Sequence, residues 1–220
     1  MAFNYSPKVV TDNLVLYLDA ANTRSYPGTG TTWNDISRSE NTTCTLVNGP
    51  TFSTTNAGII TTDGVNDYMS ITLPTFSSTY SISFWVRPIS LPAGAGSEIQ
   101  LFGSPSDVAS ISFFASISNV YKFISWNGST GRTGTTTVSL NTWYNFVMVN
   151  STNTIFYLNG NVDGTFANTA TLNSGAATFA SIGGARYLNA NFGIISFYNK
   201  ALSSTEVLQN YNAQKSRFRL

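Results

Sequence analysis

Histidine is absent from this sequence, which removes in one step the usual general base, the Ser-His-Asp and Cys-His nucleophile arrangements, and imidazole metal ligation. Carboxylates are what remains for proton transfer. Retaining glycosidases hold two of them roughly 5 Å apart across the scissile bond, and alternate strand positions, as in E-x-D-x-E, would place such a pair on one face. No run of that kind occurs. The only glutamates are Glu40, Glu98 and Glu206, one in a loop, one near a strand start and one inside a helix-capping box. Asp63 and Asp67 can approach each other, but Asp-Gly is expected in their turn for backbone reasons. The residues therefore predict a protein with no catalytic set.

Binding chemistry has more material. A sugar ring needs an exposed aromatic face to stack on, with amide or charged partners for its hydroxyls. The candidates are Trp85 with Arg87 on the outward side of their strand, Trp126 beside the Asn127 loop, and Tyr187 beyond Gly183-Gly184. Each also has an ordinary packing role. Cys44 stands alone, so there is no intrachain disulfide and no thiolate set for zinc. The glycine-rich loop at 127–134 lacks the spacing and the lysine of a phosphate-binding loop. Sequons at Asn41 and Asn150 mean little without a secretory signal, and no cofactor is predicted.

The elements that must carry these residues are strands. Aromatic residues make up 14% of the chain and charged residues only 10%, while Thr, Ser, Asn and Gly fill the turns. The central piece is a hairpin, 143–149 against 154–158, closing on Asn159-Gly160. Trp143, Val147 and Val149 point one way and Tyr144, Phe146 and Met148 the other, as in a strand buried on both faces. A second reversal is expected at Asp163-Gly164. Strands are read at 14–19, 43–47, 58–62, 68–73, 79–88, 99–102, 111–117, 121–126, 177–182 and 192–198, with 33–37 opening a loop and reversals at 63–67 and Ser118-Asn119. In 79–88, Ile82, Phe84 and Val86 form a core face, and Ser81, Ser83, Trp85 and Arg87 form one that is at least partly wet. The period changes to helical only after Ser203, which opens a capping box with Glu206. One two-layered antiparallel jelly-roll sandwich with one short C-terminal helix follows, divided into an arm at 1–12, a domain at 13–213 and a tail at 214–220.

Four segments in fixed order resemble the laminin-G-like jelly rolls of the concanavalin A-like lectin and glucanase superfamily. They are L-V-L-Y-L-D-A-A-N at 14–22, D-G-V-N-D-Y at 63–68, S-I-S-F-W-V-R-P at 81–88, and W-Y-N-F-V-M-V with Y-L-N-G within 143–160. A fifth, F-Y-N-K-A-L-S-S-T-E-V-L-Q-N-Y-N at 197–212, resembles the last strand and closing helix of that group. The opening V-T-D-N-L-V-L-Y-L-D-A-A-N-T-R-S-Y-P-G-T-G-T-T-W-N-D-I-S at 10–37 and the ending Q-N-Y-N-A-Q-K-S-R-F are together similar to stand-alone domains of tailed bacteriophages, found in virions as fibre, tail or capsid-surface proteins.

The resemblance implies an all-β, concanavalin A-like virion protein that adheres to host-surface carbohydrate. It is also compatible with a carbohydrate-binding module of a bacterial surface protein. Calcium at a loop rim is a common chemistry of the family, and Asp19, Asp63, Asn66 and Asp67 are the available oxygens. Against it, the acid that metal-type rims carry before the last strand is missing from N-F-G-I-I-S-F at 191–197. The implied partners are other virion proteins and host-surface glycans, with self-association open. A net charge of +1 with scattered basic residues gives no footprint for nucleic acid or an anionic membrane. Residues 1–13 lack the apolar core of a signal peptide, and no run spans a bilayer, so synthesis in the host cytoplasm and residence in the virion are expected.

Overall fold

The computed structural model describes residues 7–39, 42–91, 97–103, 110–115, 120–167, 171–182 and 185–220. Short apolar runs punctuated by Gly, Asn and Pro become strands throughout. They are β1 (Leu14–Asp19), β2 (Thr32–Asn34), β3 (Thr43–Val47), β4 (Thr51–Ser53), β5 (Ile59–Asp63), β6 (Tyr68–Leu73), β7 (Tyr80–Ser90), β8 (Glu98–Gly103), β9 (Ser110–Ala115), β10 (Tyr121–Trp126), β11 (Gly131–Thr133), β12 (Tyr144–Asn150), β13 (Thr154–Leu158), β14 (Asn161–Phe166), β15 (Gly175–Phe179) and β16 (Asn189–Tyr198). The first sheet runs β14-β13-β12-β7-β16-β5-β4, with β1 also on β16, and the second runs β11-β10-β9-β8-β15-β6-β3-β2. All pairings between strands are antiparallel. One helix, α1 (Ser204–Gln214), follows the last strand and runs into a 3-10 turn at Lys215–Phe218.

Between the layers lies an aromatic core. Phe84, Phe102, Phe179 and Phe197 meet at centroid distances of 5.4 to 6.3 Å, and Phe123 stacks on Phe146 at 4.3 Å. Each such ring contributes about 1.5–3 kcal/mol by leaving water. The hairpin of β12 and β13 has the expected two-sided burial: Tyr144, Phe146 and Met148 face this core, while Val147, Val149 and Trp143 face the other side of the sheet. Asn159 and Gly160 take the positive φ angles, 51° and 80°, that the tight reversal requires.

Several expectations are corrected. Asp163-Gly164 is no reversal but lies inside β14. The Asp163 carboxylate instead receives the Thr135 hydroxyl at 3.0 Å and the Thr136 N–H at 2.8 Å, so a long-range staple uses the side chain that a turn would have used. Thr32–Asn34 and Gly131–Thr133, read as loop, are short edge strands. The turn at 63–67 joins strands of different sheets, crossing from one layer to the other at a rim. The wet face of β7 is covered: Ser81, Ser83 and Trp85 are all buried. Ser118-Asn119, Gly183-Gly184, Glu40 and Asn41 lie outside the described residues.

What covers β7 is the C-terminal segment. Ser203 accepts the Glu206 N–H while Glu206 accepts the Ser203 N–H, completing the capping box that starts α1. Beyond α1, Arg217 pairs with Asp19 at 2.6 Å and donates to the carbonyls of Asn56, Gly58 and Gly193. Gly193 leaves a notch for the Phe218 ring, since a Cβ there would lie 2.5 Å from it. The other end packs on the same helix. Val10 N donates to Asn210 Oδ1 at 2.8 Å, and Gln209 Nε2 donates to the Lys8 carbonyl at 2.7 Å. Residues on both sides of the domain limits read from the sequence thus make close contacts with it.

Candidate functional site

Of the sequence candidates, Trp85 is removed by the fold. Its indole is 0% exposed, stacked with Tyr211 at 5.8 Å and with Phe218 at 4.2 Å, and its Nε1–H donates to Gln214 Oε1 at 2.6 Å. Every face and its one polar atom are engaged by the chain itself, so no ligand can stack there. Arg87, two residues on, is half-buried on the same side of the sheet. Its Nη2 donates a long 3.4 Å bond to Asn141 Oδ1, and its Nε is buried without a hydrogen-bond partner.

Trp126 and Asn127 stand at the tip of the β10–β11 hairpin. The indole is 40% exposed, and one side of it lies against Gly131, where a Cβ would meet its ring at 3.6 Å. The second strand of the hairpin thus seats the ring and leaves the rest of it to solvent. Asn127 is a turn former: its Oδ1 accepts the backbone N–H groups of Ser129 and Thr130 at 3.1 and 2.7 Å.

Tyr187 lies elsewhere, in an open groove of about 220 Å³ lined by Gly64, Ser90, Leu91, Ile99, Tyr187 and Asn189. The groove straddles the two layers at a rim: Ser90 ends β7 of the first sheet, and Ile99 belongs to β8 of the second. Tyr187 leans on the Tyr68 ring at 6.4 Å. Its neighbour Arg186 holds a left-handed φ of 53° and pairs with Glu98 at 2.9 Å. Bulky residues rarely take that conformation, and where they do the strain clusters at ligand clamps. Gly64, at φ 75°, permits the close approach of Asn189, because a Cβ on it would lie 2.8 Å from the Asn189 Cβ.

The groove is polar in a specific way. Among the described residues the Ser90 hydroxyl, the Asn189 amide and the Tyr187 hydroxyl have no hydrogen-bond partner within the protein. Leu91 and Ile99 are half-buried and pack on the main core. Three unengaged polar groups, one aromatic ring and two aliphatic side chains therefore share one concavity. Sequence reasoning found Tyr187 but not Ser90, Leu91, Ile99, Asn189 or Gly64, because these come from four separate segments with no common spacing.

The fold keeps the candidates apart. Trp126 pairs with Ser110 and Ile99 with Phe113, a separation of roughly 10 Å along the strands and two strand spacings of roughly 4.8 Å across. Tyr187 and Trp126 cannot touch one small ring together.

The carboxylates near the groove are turned to backbone. Asp63 Oδ1 accepts the N–H groups of Val65, Asn66 and Asp67 at 2.8, 3.3 and 3.3 Å. The Val65 N–H is the leading cause that holds its carboxyl below the ordinary range. Asp67 Oδ2 accepts Asp63 N–H at 3.2 Å, and burial raises its carboxyl. Asp19, the third acid named for calcium, accepts the Ala21 N–H and pairs with Arg217. Among the described residues no group of three or more His, Cys, Asp or Glu is placed to hold a metal ion. Cys44 is buried, which pushes its thiol up and leaves it inert.

Comparison with known proteins finds the same fold in several solved structures. Domain 4 of an extracellular arabinanase from Geobacillus stearothermophilus, solved in complex with arabinotriose, superposes with a TM-score of 0.69 at 15% identity, over 92% of this chain and 100% of that domain. Trypanosoma rangeli sialidase gives 0.68 at 17% identity over 95% of this chain and 34% of its own. The receptor-binding domain of botulinum neurotoxin type G gives 0.64 at 17% identity over 92% of this chain and 52% of its own. The chain thus spans about a third of the sialidase and about half of the neurotoxin domain, and at these identities the likeness shows the fold. No curated protein sequence matches significantly. The family model of the laminin-G type described as the concanavalin A-like lectin/glucanases superfamily matches residues 63–208, about two thirds of the chain, and the protein belongs to that family.

Proposed function

We propose that this protein is a non-catalytic adhesion module that binds carbohydrate through the rim groove at Tyr187. One observation carries the reading: residues bearing an aromatic ring and three polar groups unengaged by the protein line one groove, the combination that stacks a sugar ring and orients its hydroxyls. Asp63 and Asp67 beside it already accept backbone N–H groups, so they serve the turn rather than proton transfer. The arabinanase domain solved with arabinotriose supports a saccharide ligand for this fold.

We further propose that the module is displayed on a bacteriophage virion, as a fibre, tail or capsid-surface component. The opening and closing segments that resemble phage domains support this, and the partners would be other virion proteins and host-surface glycans. A second reading, a carbohydrate-binding module of a bacterial surface protein, is favoured by the match to the whole of the arabinanase domain. A glycan array with and without calcium tests sugar binding, and quantifying the protein in purified particles separates the two settings. Stoichiometric presence in particles supports the virion; absence from particles with retained glycan binding supports the surface module. A blank array under both conditions overturns the sugar-binding reading.

A further inference from the structure

We infer that the groove selects a sugar bearing a methyl-terminated substituent, an N-acetylamino or 6-deoxy sugar, over the plain hexose of the same stereochemistry. This inference rests on the proposed carbohydrate-binding role of the groove. The groove divides chemically into two halves. Ser90, Asn189 and the Tyr187 hydroxyl offer donors and acceptors that nothing else in the described protein engages. Leu91 and Ile99 offer aliphatic surface that is only half covered by the main core. A fully hydroxylated ring satisfies the first half and places hydroxyls against the second, where they find no partner and lose water. A methyl group placed there completes the burial of Leu91 and Ile99, and an acetamido group adds an amide that the Asn189 side chain can pair with.

Size agrees with this division. At about 220 Å³ the groove is smaller than the ~300–1,000 Å³ of drug-sized pockets, so it takes one ring and its substituent rather than a length of chain. The wall that carries Tyr187 and Asn189 is also tied down. Gly64 lets the Asn189 backbone close up, Arg186 is tied to Glu98, and the Gln100 N–H donates to the Arg186 carbonyl at 3.0 Å, which anchors the residue preceding Tyr187 to β8. A preformed site of this kind discriminates by what it leaves unpaired.

The test is saturation-transfer NMR and titration of the intact chain with two matched pairs: N-acetylglucosamine against glucose, and L-fucose against L-galactose. The methyl-bearing member of at least one pair should bind about fourfold tighter, the factor that corresponds to burying one methyl group at about 0.8 kcal/mol, and which pair responds tells acetamido from deoxy recognition. Leu91→Ser should remove that preference, and Trp126→Ala, at a residue remote from the groove, should leave both plain-hexose binding and the preference intact. Equal binding within both pairs, or a preference that survives Leu91→Ser, overturns the selectivity while leaving sugar binding standing. No binding of any of the four overturns the carbohydrate-binding reading and the selectivity with it.

Discussion

The Phe218 ring lies almost flat on the Trp85 indole, with centroids 4.2 Å apart and planes 14° from parallel. The same ring reaches Trp143 at 4.6 Å, so one residue near the C-terminal end seals both tryptophans on the outer face of the first sheet. Truncating it, Phe218→Ala, should cost about 3–5 kcal/mol, read as a lower urea midpoint with an unchanged slope and a red-shifted tryptophan emission. An unaltered midpoint would mean that the C-terminal turn is peripheral to the fold.

Gly64→Ala places a Cβ 2.8 Å from the Asn189 Cβ and asks an L-residue to hold φ 75°. The conformational part alone should cost about 1–2 kcal/mol. Sugar affinity should fall by more than that stability loss explains, because Asn189 must move; parallel melting and titration experiments separate the two effects.

Lys200 joins Asp12 at 3.0 Å and Glu206 at 2.7 Å, which gives stability a defined pH profile. The hydrogen bond from Lys200 is the first cause that lowers the Glu206 carboxyl in the folded protein. Its contribution is therefore complete above the unfolded value near 4.5 and is lost as pH falls through the folded one. The hydrogen bond to Glu206 raises Lys200, so its contribution is complete below about 10.5 and is lost as pH rises through the folded value. Asp67, raised by burial, works against the acid limb. Melting temperatures should thus be flat between these limits. Glu206→Gln, which can keep the cap, should lower the plateau by less than about 1 kcal/mol and make the acid limb shallower.

Trp126→Ala should change stability by no more than about 0.5 kcal/mol, since the side chain is 40% exposed and its hairpin is held by the Asn127 turn. Monosaccharide binding should be unaffected because the groove is remote from it. A loss of monosaccharide binding in this variant would move the site to the hairpin tip.

Much of this fold is legible in the sequence because it is written in local period. Ile82, Phe84 and Val86 alternate, Val207 and Tyr211 repeat at helical spacing, and Asn159-Gly160 admits little besides a reversal. What alternation cannot show is what lies over a strand's second face. Trp85 reads as outward, correctly, and as wet, incorrectly, because its cover arrives from Tyr211, Gln214 and Phe218, well over a hundred residues later. Asp163-Gly164 misleads for a related reason: Thr135 and Thr136 take the carboxylate across the sandwich. The groove is the least legible part. Only Tyr187 announces itself by type, while Ser90, Ile99 and Asn189 become a site only once two sheets are closed at their rim.

The most direct measurement is a glycan array probed with the native chain and with a Tyr187→Ala, Asn189→Ala double variant, followed by mass analysis of the spotted glycans. The native chain should bind a defined set of glycans and leave them uncleaved, and the double variant should bind none while melting within a few degrees of the native chain. Binding that persists in the folded variant, or shortened glycans after exposure to the native chain, would contradict a non-catalytic sugar site at this rim.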